Sequence, residues 1–359
     1  EFWDVDPWAA VERDGKIYGR GTQDMKCVVI QYILALARMY EAAKAKAGGD
    51  EVPPLFQRTL YLTFVPDEEV GGKDGMGALL QSGEFDRLCP NVGVALDEGL
   101  ATPEEGTNTV FFGERHPIWL LITAKGPTGH GSRFIKNTAC EKLINVANKA
   151  LAKRREQEEI LGYGTPASAN GGASDEAGCK HCEAKKLGDV LTINLTVLKA
   201  GVSSDGGNSF AMNVIPTEAV AGFDIRVPVS MPMTDVKAML DDWTAEEGLS
   251  WQVDPKTGKF EDFDHAVSSI NPDESKWWKA FSDACEQADL KAVPEIFPAG
   301  TDSRFLRLKG ISAFGFSPMS GSPILLHEHN EYLERATFLK GIGIYETIIP
   351  ALANLSKDA

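Results

Sequence analysis

The period of the apolar positions changes several times along the chain, and each change marks a predicted element. From Asp24 onward, Val29, Tyr32, Ile33, Leu36 and Tyr40 recur at i, i+3, i+4 and i+7, which predicts a helix with one buried stripe. Arg58 to Val65 is dense in β-formers (Thr59, Leu60, Tyr61, Leu62, Thr63, Phe64, Val65) and stops at Pro66, so it reads as a strand. Val92 to Leu96 is a short apolar run of the kind buried in a parallel sheet. This alternation predicts an α/β domain, which places ligands at the C-terminal ends of its strands. Acidic residues follow both strand candidates directly: Asp67, Glu68 and Glu69 after the first, Asp97 and Glu98 after the second.

Beyond about Trp119 the pattern changes. Trp119 to Lys125, Val190 to Lys199 and Ala219 to Val227 read as strands, with helices over Ala139–Glu156 and Thr234–Glu247. Such a module fits a second domain of α+β type. Gly162 to Gly188, rich in Gly, Ala, Ser and Asp, reads as a mobile insertion within it. The first pattern then returns, with a helix near Glu274–Gln287, strands at Ala292–Phe297 and Ser312–Phe316, and a closing helix from Arg335. The organisation that follows is one α/β domain, residues 1–116 and 266–359, interrupted by an inserted module, residues 117–265.

Composition narrows the function. Of 359 residues, 43% are hydrophobic and 25% charged, enough apolar material for packed cores. No run approaches the ~20 apolar residues that cross a bilayer, so no membrane partner is expected. A net charge of −16 argues against nucleic acid, whose phosphates need clustered Lys and Arg. Six cysteines are too sparse for a disulfide scaffold and fit a reducing cytoplasm. Cys27, Cys89, Cys140 and Cys285 read as small buried residues or inert thiols. Cys179 and Cys182 flank His181 without the second ligand pair that a structural zinc needs.

Asp24, Glu68, Glu69, Glu98 and His327 form the candidate chemical set. Carboxylates with an imidazole suit zinc and similar divalent ions, and two such ions a few ångströms apart need a carboxylate shared between them. Each residue also has a plainer reading alone: Asp24 as a helix N-cap, Glu68 and Glu69 as solvated surface acids, His327 as a loop histidine.

Several ordered strings carry a family resemblance. They are Gly21-Thr22-Gln23-Asp24-Met25-Lys26, Val65-Pro66-Asp67-Glu68-Glu69-Val70-Gly71-Gly72 and Ala95-Leu96-Asp97-Glu98-Gly99. Further along come Gly129-His130-Gly131-Ser132, Asn213-Val214-Ile215-Pro216, Phe223-Asp224-Ile225-Arg226, Gly300-Thr301-Asp302-Ser303-Arg304 and Leu326-His327-Glu328-His329. In this order they resemble the M20 metallopeptidases over nearly the whole chain, the Gly162–Gly188 segment excepted. The resemblance implies a zinc-dependent exopeptidase-like catalytic domain whose insert is a lid and dimerisation domain. It implies two zinc ions per subunit, Asp24 bridging them, Glu69 and His327 completing one site and Glu98 serving the other. Glu68 would be the general base and then acid. His130, from the lid of a partner subunit in a homodimer, would stabilise the transition state. Asn213, Arg226 and Arg304 would hold the substrate carboxylate, although Arg226 fits a structural ion pair equally well.

The activity implied is hydrolysis of N-acyl amino acids. A dipeptidase or carboxypeptidase of the same family and a non-catalytic relative are the alternatives. The resemblance also implies a metal-binding His, in a His-x-Asp segment, just upstream of Glu1, so an N-terminal extension carrying that pair is expected. His116, His181 and His265 do not match its context.

Overall fold

The computed structural model describes residues 2–48, 52–162 and 185–356. Cys179, His181, Cys182 and most of the Gly162–Gly188 segment lie outside them. The described chain divides into two compact units. One comprises Glu1–Gly113, Ala266–Glu295 and Thr301–Ala359, the other Glu114–His265 with Ile296–Gly300. No helix among the described residues is long and apolar enough to cross a membrane.

The first unit holds a four-stranded sheet in the order Lys291–Phe297, Thr107–Glu114, Ser312–Phe316, Val94–Asp97. Val94–Asp97 runs parallel to Ser312–Phe316, with Phe314 opposite Leu96, while Ser312–Phe316 runs antiparallel to Thr107–Glu114. The sheet is therefore mixed. Val94–Asp97 lies at its edge among the described strands and is only half-buried, short of the full burial its apolar run suggests. Helices Lys26–Ala47, Lys276–Gln287 and Arg335–Ala353 share one core with the sheet. Phe281 meets Phe314 and Phe316 at ring distances of 5.7 and 5.3 Å, and the buried Tyr345 hydroxyl donates to the Phe316 carbonyl at 3.0 Å. Aromatic burial with the one polar tip satisfied is the arrangement such residues need.

Two expectations change. The segment from Arg58 to Val65 forms no strand: no described strand pairs with it, and Tyr61 and Phe64 stand 58% and 65% exposed. β-Propensity shows that side chains suit a pleated surface but cannot supply the ladder partner that makes a strand. The buried stripe of the first long helix is also rotated. Val28, Gln31 and Ala35 are its innermost residues, joined by Tyr32, Leu36 and Met39, whereas Ile33 and Tyr40 are exposed. A polar residue sits in the stripe because the Gln31 amide donates to the Phe338 carbonyl at 3.0 Å. There the closing helix presents Gly341, where a Cβ would lie 2.1 Å from Gln31 Nε2.

The second unit is an antiparallel sheet in the order Leu249–Val253, His116–Lys125, Glu218–Val227, Thr192–Ala200. Helices Ala139–Ile160 and Met233–Trp243 bury Leu143, Val146, Val236 and Leu240 in one cluster with Ile118, Ile193 and Phe223, giving an α+β module. The first helix starts with a reciprocal capping box: the Thr138 hydroxyl accepts from Glu141 N–H and the Glu141 carboxylate from Thr138 N–H.

Gly341→Ala is expected to destabilise the protein by about 1–3 kcal/mol, because a methyl group there displaces the buried Gln31 amide from its bond to the Phe338 carbonyl. Chemical denaturation checks this, and an unchanged midpoint would contradict the close helix contact.

Candidate metal centre

The donors come from segments distant in sequence that one unit brings together. Asp24 lies just before the Lys26–Ala47 helix, yet it does not cap it: the N-cap position is Met25, and no side chain caps that end. Asp24 Oδ2 lies instead 3.1 Å from His327 Nε2. Glu69 Oε2 lies 3.1 Å from the same nitrogen. One ligand atom each from Asp24, Glu69 and His327 thus falls within 4.8 Å of the others. Glu69 stands in the short turn Glu68–Val70, and His327 adopts the left-handed φ of 62° that non-glycine residues rarely take.

Glu98 follows the edge strand directly and is buried, hydrogen-bonded to Asp24. Gly99 is needed beside it, since a Cβ there would sit 3.0 Å from the backbone of Phe316 and Ser317. Burial first, then the charges of Asp97 and Asp24, hold the Glu98 carboxyl far above the usual carboxylate range. Glu68 is pushed up to about 7 by burial, then by Asp302, Glu69 and Asp97, with Arg304 acting in the opposite sense. Neighbouring Glu69 is exposed, so two adjacent acids have different environments.

Two further acids, present in the motif strings but given no role there, act on this site. Asp97 accepts from Glu98 N–H at 2.9 Å and from Ser303 N–H and hydroxyl at 3.0 and 2.8 Å, tying the Glu98 turn to the Ser303–Leu308 helix. Asp302 is buried with neither carboxylate oxygen hydrogen-bonded, and burial followed by the charge of Asp97 raises it to about 6.

The remaining candidates separate. Arg304 belongs to the same unit and donates to the Thr301 and Gly71 carbonyls at 2.9 and 3.0 Å, bracing the loop after Glu69. His130, Asn213 and Arg226 belong to the second unit. His130 and Asn213 lie close together on a two-stranded ribbon, where Gly129 and His130 pair with Ile215 and Val214 and Gly131 N–H donates to the Asn213 carbonyl. Ser132 N–H donates to His130 Nδ1 at 3.2 Å. The Ser132 hydroxyl lies 2.8 Å from the same nitrogen. Arg226 is engaged by Asp224 through two contacts of 2.7 and 3.0 Å. His116 lies tilted against Phe263, with ring centres 4.3 Å apart, and His265 lies against the Met231 carbonyl, both within the second unit.

The model for peptidase family M20/M25/M40 matches residues 1–351. The chain belongs to this family. Aminoacylase-1 of Dictyostelium discoideum is 46% identical over 357 residues, covering 99% of this chain and 79% of that protein. Human Aminoacylase-1 is 40% identical over 358 residues, 99% of this chain and 77% of its own length. Among solved structures, the M20 family metallo-carboxypeptidase Sso-CP2 from Sulfolobus solfataricus shares the fold with a TM-score of 0.58 at 15% identity, over 98% of this chain and 81% of that one. Aminopeptidase PepT from Bacillus cereus does so with a TM-score of 0.59 at 16% identity, over 96% and 76%. As an M20 protein this chain is a metal-dependent hydrolase of amide bonds.

The donor set fits a divalent cation. Two carboxylates and an imidazole converge with Glu98 behind them, and the influences acting on Glu98 all oppose its negative charge, which a cation would relieve.

This crowding makes a testable statement about the metal-free chain. The folded-state values of Glu68, Glu98 and Asp302 lie above their unfolded values, so between the two the folded chain holds protons that the unfolded chain has released. Their contribution to stability therefore falls as pH rises from each unfolded value, and the loss levels off once pH has passed the folded value. The melting temperature of chelator-treated protein should drop between about pH 5 and about pH 7.5, and zinc should restore it most at the upper end. A metal-free melting temperature that rises over this window, together with no zinc effect, would contradict the assignment.

Proposed function

We propose that the chain hydrolyses N-acyl L-amino acids to a free amino acid and a carboxylate, with two zinc ions per subunit, as a cytoplasmic homodimer. The observation that carries this reading is the match, across nearly the whole chain, to relatives named Aminoacylase-1. In this reading Asp24, Glu69, Glu98 and His327 hold the metal. Zinc, when bound, supplies Lewis-acid polarisation of the acyl carbonyl and activation of water.

The chain's own side chains do the rest. Glu68, raised to about 7, is the general base: near neutral pH it can take a proton from the attacking water and return it to the departing amine. Glu69 is a ligand and its neighbour is free, so adjacent carboxylates divide binding from proton transfer. His130 is assigned to the oxygen that gains charge as the tetrahedral centre forms, as a ring N–H donor. Asn213, Arg226 and Arg304 are assigned to the substrate carboxylate. Arg226 and Arg304 are already engaged, by Asp224 and by main-chain carbonyls, so a substrate would share their forks.

The second unit is assigned as lid and dimerisation domain. The ribbon that bears His130 is exposed, with Phe134 and Met212 uncovered next to it, a surface suited to closing over a partner's site. Glu68→Gln should keep its zinc while losing about 10²–10⁴-fold in turnover. A near-normal kcat would remove Glu68 from its role. Mixing His130→Ala chains with Glu68→Gln chains should recover activity that neither has alone, since one composite site per dimer is then intact. An active monomer by sedimentation, or no recovery, would count against the shared site.

A further inference from the structure

Glu331 has no solvent exposure, and its carboxylate gathers donors from a single loop. Oε2 accepts from Arg20 Nη1 at 2.8 Å and from Gly21 N–H at 3.2 Å. Oε1 accepts from Gln23 N–H at 2.7 Å and from Asp24 N–H at 3.3 Å. The Glu331 carbonyl also accepts from Gly19 N–H at 3.1 Å. The loop that presents Asp24 is thereby wound around one buried charge.

The same contacts reach the other side of the metal centre. Arg20 Nη2 donates to the carbonyls of His327 and Glu328 at 3.4 and 3.2 Å. Gln23, itself buried, donates to the Pro323 and Tyr332 carbonyls at 3.0 and 2.8 Å and accepts from Leu325 N–H at 2.9 Å. Asp24 and His327 belong to different segments, and each is attached to its neighbour through Glu331, Arg20 or Gln23. A buried carboxylate satisfied by main-chain N–H groups and a guanidinium is rigid, because releasing any donor leaves charge unpaired.

We propose that Glu331 is a positioning residue for the metal centre, its carboxylate and Arg20 together holding the Asp24 loop against the His327 loop at ligating distance. This rests on the reading of Asp24, Glu69 and His327 as metal ligands. Residues one step behind the ligands set where the donor atoms lie, and their loss typically weakens metal binding by about 10–100-fold. Glu331→Gln keeps the shape but replaces one acceptor oxygen with an NH2 group, which faces donors where it must accept.

The test is zinc affinity by chelator competition on the full chain, with the melting temperature of each metal-free variant measured alongside. Glu331→Gln is expected to bind zinc about 10–100-fold more weakly per folded chain. Arg20→Gln, on a partly exposed side chain, should shift affinity in the same direction by less, and it decides the matter if Glu331→Gln does not fold. A purely structural role would lower the metal-free melting temperature and leave zinc affinity unchanged, which would overturn the proposal. Asp24→Asn separates the two readings. Tight zinc binding by wild type that is lost in Asp24→Asn but retained in Glu331→Gln and Arg20→Gln overturns the positioning role alone. A wild-type chain that binds no zinc overturns the metal reading and this proposal with it.

Discussion

Carboxylates held close together and out of water repel one another, and this constraint organises the first unit. Glu98 is buried against Asp24, with Asp97 and Glu68 acting on it in the same sense. Water cannot screen these charges well at that depth, so the folded chain must keep protons or take up a cation. The turns after the edge strand and after Glu69, and the segment around His327, all bear on that choice. The fold supplies the placement: a strand that ends at Asp97, a helix that begins just past Asp24, and a histidine in a left-handed turn.

A cation binds well only where its donors are already in place. Main-chain hydrogen bonds achieve this with little conformational freedom left over, and they recur at each corner of the centre. Asp97 ties the Glu98 turn to Ser303, Arg304 ties the loop after Glu69 to Thr301, and the 19–24 segment is laced to residues 323–332. The environments of Glu68 and Glu69 differ for the same reason. Glu68 is half-buried near the charge of Asp302, while Glu69 is exposed beside His327, so neighbours in sequence meet unlike surroundings. Chemistry that needs a ligand and a base side by side gains from that difference.

Much of the fold was legible because periodicity reports burial directly. The Ser312–Phe316 strand, the closing helix from Arg335 and the strands of the second unit follow the apolar pattern closely. Thr107–Glu114 did not show itself, since Thr107, Asn108 and Glu114 are buried polar residues that break any simple alternation. The first helix turned its stripe toward Gln31 because a glycine on the neighbouring helix made room for an amide. Arg58 to Val65 shows the opposite failure, a strand-like composition without a ladder. At the site, Asp24, Glu69 and His327 could be named from motif strings, whereas Glu331 could not. It follows His327, Glu328, His329 and Asn330 in a polar run that reads as surface, and its burial depends on a loop some three hundred residues away.

The central claim is that Asp24, Glu69 and His327 together hold a metal ion. It is tested most directly by crystals of the zinc-loaded protein measured on either side of the zinc absorption edge. An anomalous peak is expected in contact with the Asp24 and Glu69 carboxylates and His327 Nε2, at about 2.0–2.2 Å from each donor. A zinc peak elsewhere in the molecule, with these three side chains left in contact only with one another, would contradict it.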